Sequence, residues 1–288
     1  FPESHAISFA LIAYASCWLK VHRAVEFYAG LINHQPMGFY SVNTLIQDAK
    51  HHGIRIRPVS CLHSEVETAV DDEHTLRLGL HRLKGLSAGT AERIVEERRK
   101  SPFLSLPDFL MRVRPSLAEK RLLASAGALN GIPKTNHRRE ALWQAELPLH
   151  DDLLGRALRE DPVAYKTVPL AEMTPTERLH ADLMAQGATT GPHPMNLWRE
   201  NHNLPFHRSR DLHGLPHGSL VSIPGLAICR QRPSTAKGHC FISLEDECGI
   251  ANLFVPKNTF EAYRPLITTE AYLLVHGRLQ QGEGGQPT

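Results

Sequence analysis

The spacing of apolar residues changes about three quarters of the way along the chain, and this change constrains the fold class. Up to about residue 184, apart from a short strand pair and a proline-rich linker, apolar side chains recur at helical spacing in segments separated by Pro, Gly and Ser. From Leu220 onward they form short strand-like segments with Gly, Pro and Asp turns between them. We therefore predict an α+β chain, with a mainly helical part followed by a small β-barrel.

Four strands are predicted in the last part of the chain, with one helix between the third and the fourth. Three strands, a helix and a further strand are typical of the oligonucleotide-binding (OB) Greek-key barrel, which has five strands. The fifth strand is expected to follow Thr288, so the barrel is predicted to be truncated. The predicted strands are 220–230, 239–244, 250–255 and 271–278, and the helix is 258–263.

The helical part begins with the most apolar stretch of the chain. One helix is predicted over 4–33, capped by Ser4 and buried on several sides, because apolar residues crowd nearly every face. Its apolar run, 6–19, is too short to span a bilayer. A helix over 41–52 and a strand over 54–59, paired with 76–80, follow. Further helices are predicted at 88–100, 107–112, 116–126, 134–144 and 176–184, with a proline-rich linker over 145–175.

Composition excludes several classes of protein. Hydrophobic residues make up 42% of the 288 residues and charged residues 22%, which is typical of a globular protein. The net charge of +2 excludes a uniformly basic surface. The five cysteines are scattered, so we predict neither a disulfide framework nor a zinc ribbon and expect a reducing cytoplasm. No signal peptide is predicted, and the non-Met start and turn-like end indicate a piece of a longer protein.

The segment 83–87 has the pattern of a helix-hairpin-helix turn. A glycine lets two helices meet sharply, and free N–H groups at the start of the second helix can bind a DNA phosphate. Ser87 stands where the usual pattern has a second glycine, and it can still cap the helix. An ordinary helical turn is the alternative. The DNA-binding interpretation predicts contacts from Lys84, Gly85, Leu86, Ser87 and Arg93.

Charge supports the DNA-binding interpretation of this turn. Between Arg77 and Arg121 there are eleven Lys or Arg and five Asp or Glu, a local net charge of +6. A basic segment centred on a hairpin is typical of binding to a nucleic-acid backbone. A solvated helical face is the alternative.

Two further groups of residues are candidates for binding anions. Ser4 and His5, at the start of the first helix, could hold a phosphate, although capping alone also explains Ser4. In the barrel, the loop between the first two strands carries three cations and no acid, which favours contact with a single strand. Phe241 and Phe254 could stack on bases, but we expect them to point into the barrel core. The loop cations are Arg230, Arg232 and Lys237.

No catalytic residues or metal ligands are predicted in this chain. Histidines number 18, but their spacings match no known metal motif. Acidic pairs fall in predicted loops, and the chain contains no GxSxG and no phosphate-binding P-loop. We therefore expect solvated histidines, no metal site and no active site.

Several long segments resemble the bacterial C-family DNA polymerases, and above all their error-prone DnaE-type (ImuC) branch. Pro2-Glu3 indicates the error-prone branch, because replicative relatives usually carry Asn-Lys there. The resemblance covers nearly the whole chain in order. The matching segments are Phe1 to Ala6, Phe9 to Tyr14, Trp18 to Lys20, Gln35 to Ser41, Arg77 to Arg99, Ala126 to Leu129 and Cys229 to Gly238.

The resemblance implies a C-terminal fragment of a DNA-directed DNA polymerase, a nucleotidyltransferase acting in translesion synthesis after DNA damage. It implies the end of the fingers domain with a connecting strand at 1–75 and a tandem helix-hairpin-helix domain at 76–145. A linker with a helix at 146–210 and a truncated OB barrel at 211–288 complete the chain. The palm domain, whose carboxylates bind Mg²⁺, would lie upstream, so the fragment alone is expected to be inactive.

The resemblance also implies partners. These are primer–template DNA, deoxynucleoside triphosphates near Ser4 and His5, and a Y-family-like protein that supplies contact with the sliding clamp; no membrane is implied. The nearest clamp-binding motif, 144–150, has His150 where Phe is preferred. A free-standing DNA-binding or repair-scaffold module is the alternative function. A long reading frame upstream of Phe1 with paired Asp would favour the polymerase. A start codon just before Phe1 would favour the free-standing module.

Overall fold

The computed structural model describes residues 3–38, 40–147, 170–202 and 205–281. The chain divides into two compact units. The first comprises residues 1–35 and 52–190, and the second comprises residues 36–51 and 191–288. The α+β class is confirmed, with helices first and a curled antiparallel sheet after them. Most of the predicted linker and the last seven residues lie outside the described residues.

The first unit begins with two helices where one was predicted. They are α1 (Glu3–His22) and α2 (Ala24–Asn33), separated by Arg23, whose backbone (φ −141°, ψ 51°) is not helical. No residue of α1 is buried, so the prediction of a buried helix is wrong: its large apolar side chains are 42–75% exposed. The 20 residues of α1 are long and apolar enough to cross a membrane by length and composition alone, a test that buried core helices and signal sequences also pass.

A small three-stranded sheet follows in the first unit. It contains β1 (Arg55–Arg57), β2 (Ala69–Asp72) and β3 (Thr75–Arg77), in the order β1-β3-β2. The predicted pairing is confirmed, since β1 runs parallel to β3 with Ile56 opposite Leu76. The sequence did not predict β2, because its two aspartates are unusual in strands.

Five more α-helices lie among the described residues of the first unit. Serine and threonine side chains cap most of them. Each accepts a hydrogen bond from the backbone amide three residues further along, as at Ser87, Ser116 and Thr174. Ala91 and Ile94 on α4 are buried. The helices are α4 (Ala88–Lys100), α5 (Leu106–Val113), α6 (Leu117–Ser125), α7 (Arg138–Glu146) and α8 (Pro175–Gln186).

The described residues of the second unit form four α-helices and a curled sheet. Helix α3 (Val42–His51) matches the predicted helix, whereas α9 (Pro194–Asn201) lies in the predicted linker 146–210, beyond the helix predicted there. The sheet has the order β6-β5-β4-β7, and all its neighbours are antiparallel. The strands are β4 (Leu220–Gln231), β5 (Cys240–Asp246), β6 (Gly249–Val255) and β7 (Tyr272–Arg278).

The long strand β4 pairs with β7 along its first half and with β5 along its second half. Gly225 permits this arrangement, because a Cβ at that position would lie 2.6 Å from Cγ of Leu244. Inside the curl lies an apolar core to which Ile223, Ile242 and Phe260 contribute. Helices α10 (Lys257–Ala262) and α11 (Arg264–Thr269) connect β6 to β7. These four strands and their helices form the half-barrel of an OB fold.

Candidate nucleic-acid interface

The predicted hairpin turn lies between a 3-10 helix (Leu80–Arg82) and α4. Gly85 has φ +101°, which L side chains rarely adopt, so the turn requires glycine here. Gly85 is exposed, as are Lys84 and Ser87, while Leu86 is half-buried. The amide of Lys84 donates to the carbonyl of Ala185, which fixes the turn against the end of α8.

The start of α4 is joined to the start of α6 by one buried carboxylate. Glu119 accepts hydrogen bonds from Ser87 N (3.0 Å), Ser87 Oγ (2.8 Å) and Ser116 N (2.8 Å). Burial raises the pKa of Glu119, but the bonds from Ser116 and Ser87 outweigh burial and bring the pKa down to about 2. The carboxylate is therefore ionised at neutral pH, and the two helix starts are held side by side.

This carboxylate changes the role predicted for Ser87. Its amide and its hydroxyl both donate to Glu119, so neither is available to a DNA phosphate. The next two amides, at Ala88 and Gly89, belong to the exposed first turn of α4, where a helix offers no acceptor. A phosphate contact through backbone groups at this turn therefore depends on Gly85, Ala88 and Gly89 rather than on Ser87.

Ion pairs reduce the positive charge that the segment 77–121 presents to a ligand below the +6 given by counting residues. Six of the eleven basic residues between 77 and 121 form ion pairs within the first unit, which neutralises them. The pairs are Arg77–Asp71, Arg98–Glu65, Arg99–Glu65, Lys100–Glu97, Arg112–Asp108 and Arg121–Glu146. Among the described residues, no carboxylate pairs with the remaining five, Arg82, Lys84, Arg93, Arg114 and Lys120.

Two of these unpaired cations lie close together beside the helix starts. Arg93 donates from Nε to the carbonyl of Val113 (3.0 Å) and from Nη2 to Thr90 Oγ1 (2.9 Å). The next residue, Arg114, ends α5 in the left-handed conformation with φ 51° and is exposed. Arg93 and Arg114, with Lys84, form what we call the hairpin surface.

The barrel carries an exposed aromatic group, contrary to expectation. Phe241 and Phe254 are cross-strand neighbours on β5 and β6, with ring centroids 5.6 Å apart, and are 41% and 45% exposed. The prediction that they fill the core is wrong: Ile242 and Val255, one residue further along, point inward instead. The ring of His239 lies 4.9 Å from that of Phe254. These three rings are the aromatic face.

The predicted basic loop joins β4 to β5 and contains a 3-10 helix, Ser234–Ala236. Arg230 donates to the carbonyls of Ala227 and Glu270, so its guanidinium group is bound to the barrel backbone. Arg232 donates to the carbonyl of Gly238 and lies 4.5 Å over the ring of Phe260. Lys237 is exposed with φ 49°, and the loop leads directly into His239 of the aromatic face.

The predicted phosphate residues at the start of α1 lie on its exposed surface. Ser4 lies within the helix rather than capping it, and its carbonyl accepts a hydrogen bond from Ser8 Oγ (2.9 Å). The ring of His5 packs edge-on against Phe9, with centroids 4.5 Å apart. The clamp-like segment 144–150 lies partly outside the described residues.

In the described part of the chain, no group of three or more His, Cys, Asp or Glu is placed to hold a metal ion. The described residues therefore do not fit Mg²⁺.

Sequence reasoning missed three residues that shape these surfaces. Ser116-x-x-Glu119 matches the capping-box pattern, which could have predicted the local bonds at α6 but not the bond from Glu119 to Ser87. Arg114 gave no signal, because left-handed backbone is unusual for arginine. His239 joins the aromatic face only through the pairing of β5 with β6.

Two family models match the parts of the chain that carry these surfaces. Residues 53–141 match a helix-hairpin-helix motif, and residues 222–288 match an OB-fold nucleic acid binding domain. The chain is 40% identical to an error-prone DNA polymerase of Teredinibacter turnerae, over 98% of the chain and 27% of the relative. It is likewise 40% identical to one of Saccharophagus degradans and 39% identical to one of Pseudomonas syringae pv. syringae, in each case over 28% of the relative. The chain thus spans about a quarter of the length of these relatives.

Proposed function

We propose that this chain, which is homologous to the C-terminal quarter of error-prone DNA polymerases, holds DNA for such an enzyme during synthesis past damage. In the whole enzyme, the primer 3′-hydroxyl would attack the α-phosphorus of the incoming nucleoside triphosphate, and pyrophosphate would leave as the α–β phosphoanhydride bond breaks. Mg²⁺ would supply charge stabilisation for that step in a palm domain outside this chain. The chain alone is proposed to be inactive and to work in the cytoplasm.

The aromatic face is the observation that carries this proposal. Exposed aromatic pairs are costly to leave in water, and bases of a single strand stack on such rings in a sequence-tolerant way. The face lies on the second and third strands of the half-barrel, beside the loop between the first two strands. In OB folds this is the surface that binds oligonucleotides. Phe241, Phe254 and His239 would stack on the template strand while Lys237 contacts its phosphates.

The hairpin surface is proposed to hold the duplex. Lys84, Arg93 and Arg114 present positive charge beside the exposed first turn of α4, where backbone amides point outward. Contacts of this kind bind phosphates without reading sequence. Binding of duplex DNA should therefore be similar for all sequences and should weaken as salt rises.

Nucleotide and protein partners are proposed for the whole enzyme. Ser4 and His5 would lie near the phosphates of the incoming nucleotide in the whole enzyme. Contact with the sliding clamp would come through a Y-family-like partner protein rather than through the segment 144–150.

Binding of a fluorescently labelled thymidine oligonucleotide, measured by anisotropy at low salt, tests the proposal. The double substitution Phe241→Ala/Phe254→Ala should weaken binding by about 2–6 kcal/mol, because two stacking platforms are lost. Replacement of the exposed Tyr263 by Ala serves as the matched control, because Tyr263 lies outside the aromatic face. Equal affinity of the double variant and the control would show that the barrel does not hold the strand by stacking.

A further inference from the structure

A cavity of about 430 Å³ opens within the second unit. It lies between α3, the start of α9, the 3-10 helix Ser209–Gly214 and the turn that joins β5 to β6. No residue of the aromatic face or of the basic loop lines it. Its volume falls within the range of small-molecule sites, which begins near 300 Å³.

Positive charge dominates the lining of this cavity. Lys50, Arg208 and Arg210 contribute three cations against a single carboxylate, Glu247. That carboxylate is already compensated, because its Oε1 lies 2.9 Å from Nε of Arg208 and 3.0 Å from Nε of Arg199. The cavity therefore favours an anionic ligand.

One buried side chain at the cavity holds a donor that no described residue accepts. Gln47 is 5% exposed, and its Nε2 makes no hydrogen bond with any described residue. His193, also 5% exposed, accepts the Met195 amide at Nδ1 (3.1 Å), and its Nε2 lies 3.5 Å from Oε2 of the buried Glu245, so this side chain is taken up by that pair. Buried donors are nearly always paired, so Gln47 Nε2 indicates an oxygen atom of a ligand.

One acceptor accompanies this donor. Glu247 Oε2 is buried and, among the described residues, receives no hydrogen bond. A ligand that carries anionic oxygens beside a hydroxyl or amino group would satisfy both side chains.

We propose that this cavity binds the phosphate group of a nucleotide. Gln47 donates to a phosphate oxygen, Arg210 balances the charge, and Glu247 accepts from the sugar or base. The phosphate belongs either to a free mononucleotide or to the 5′ end of a DNA strand. The cavity shares no residue with the hairpin surface or the aromatic face, so this site and the proposed DNA-holding function can fail independently.

Isothermal titration of the whole chain tests this site. The probes are deoxyadenosine monophosphate, inorganic phosphate, and one oligonucleotide with and without a 5′-phosphate. Arg210→Gln removes an exposed cation of the cavity, and Gln47→Leu removes a buried donor. Arg264→Gln, an exposed arginine of α11 outside the cavity, is the matched control.

Deoxyadenosine monophosphate should bind the original chain and the control alike, and each cavity variant about tenfold more weakly. Tighter binding of the 5′-phosphorylated oligonucleotide than of the mononucleotide would assign the phosphate to a strand end, and the reverse order to a free nucleotide. Absence of binding by every phosphate monoester would overturn the proposal, as would unchanged affinity of Arg210→Gln. Should Gln47→Leu fail to fold, Arg210→Gln decides alone.

Discussion

Replacement of Glu119 by Gln should loosen the helical unit at the point where α4 meets α6. The carboxylate is 7% exposed and accepts three hydrogen bonds from Ser87 and Ser116. An amide of the same size keeps one acceptor oxygen and turns an NH₂ group toward donors. The pKa of Glu119 falls from an ordinary 4.5 to about 2, and this shift corresponds to about 3 kcal/mol of stability at neutral pH.

The same pKa shift determines how the stability of the helical unit depends on pH. A carboxylate whose pKa is lowered by folding stabilises the folded state above its unfolded pKa. That stability is lost as the pH falls from about 4.5 toward about 2. The free energy of unfolding of the original chain should therefore exceed that of Glu119→Gln by about 3 kcal/mol at pH 7, and the difference should shrink below pH 4.5. The variant has no carboxylate at position 119, so its stability lacks this pH dependence.

Urea unfolding, monitored by hydrogen exchange of peptides from α4 and α6, measures this difference in the free energy of unfolding. These peptides report on the helical unit separately from the strand-rich unit. Glu92→Gln, the same change at an exposed position of α4, is the control and should stay within about 0.5 kcal/mol of the original chain. If Glu119→Gln matched Glu92→Gln at pH 7, Glu119 would not hold the two helix starts together.

Three further predictions concern binding. Phe254→Ala alone should weaken single-strand binding by about 1–3 kcal/mol while Tyr263→Ala does not, as measured by anisotropy; equal losses would contradict stacking on the aromatic face. Arg114→Gln should lower the slope of log affinity against log salt for duplex DNA by about 0.9, since about one phosphate contact is lost. Arg121→Gln, whose arginine is paired with Glu146, should leave that slope nearly unchanged, and the same slope in both variants would refute the hairpin surface. In the full-length enzyme, His5→Ala should raise the nucleotide KM or lower kcat with DNA binding intact, and unchanged kinetics would remove His5 from the nucleotide site.

The order of elements could be predicted from the sequence because each element carries its own local signal. Ser87 and Gly85 mark the hairpin, and alternation of apolar residues marks β4 to β7. The helix α9 was missed because Pro194 and its neighbouring histidines have the composition of a loop, although proline suits the first turn of a helix.

The surfaces were harder to predict than the fold, because they depend on contacts between residues distant in sequence. Counting charges could not show that Glu65, Glu97 and Glu146 neutralise much of the basic segment. The direction of Phe241 depends on the register of β5, since a shift by one residue reverses every side chain. The apolar composition of α1 predicted burial, but burial depends on neighbouring elements, and in the described residues no side chain of α1 is buried.

The most direct test of the DNA-holding function compares two variants on two forms of DNA. One variant replaces Lys84, Arg93 and Arg114 by Gln, and the other replaces Phe241 and Phe254 by Ala. Anisotropy titrations at low salt give the affinity of each for a duplex and for a single strand. We predict that the first variant loses mainly duplex binding and the second mainly single-strand binding. Failure of the original chain to bind either form, or equal losses on both forms for both variants, would contradict this account.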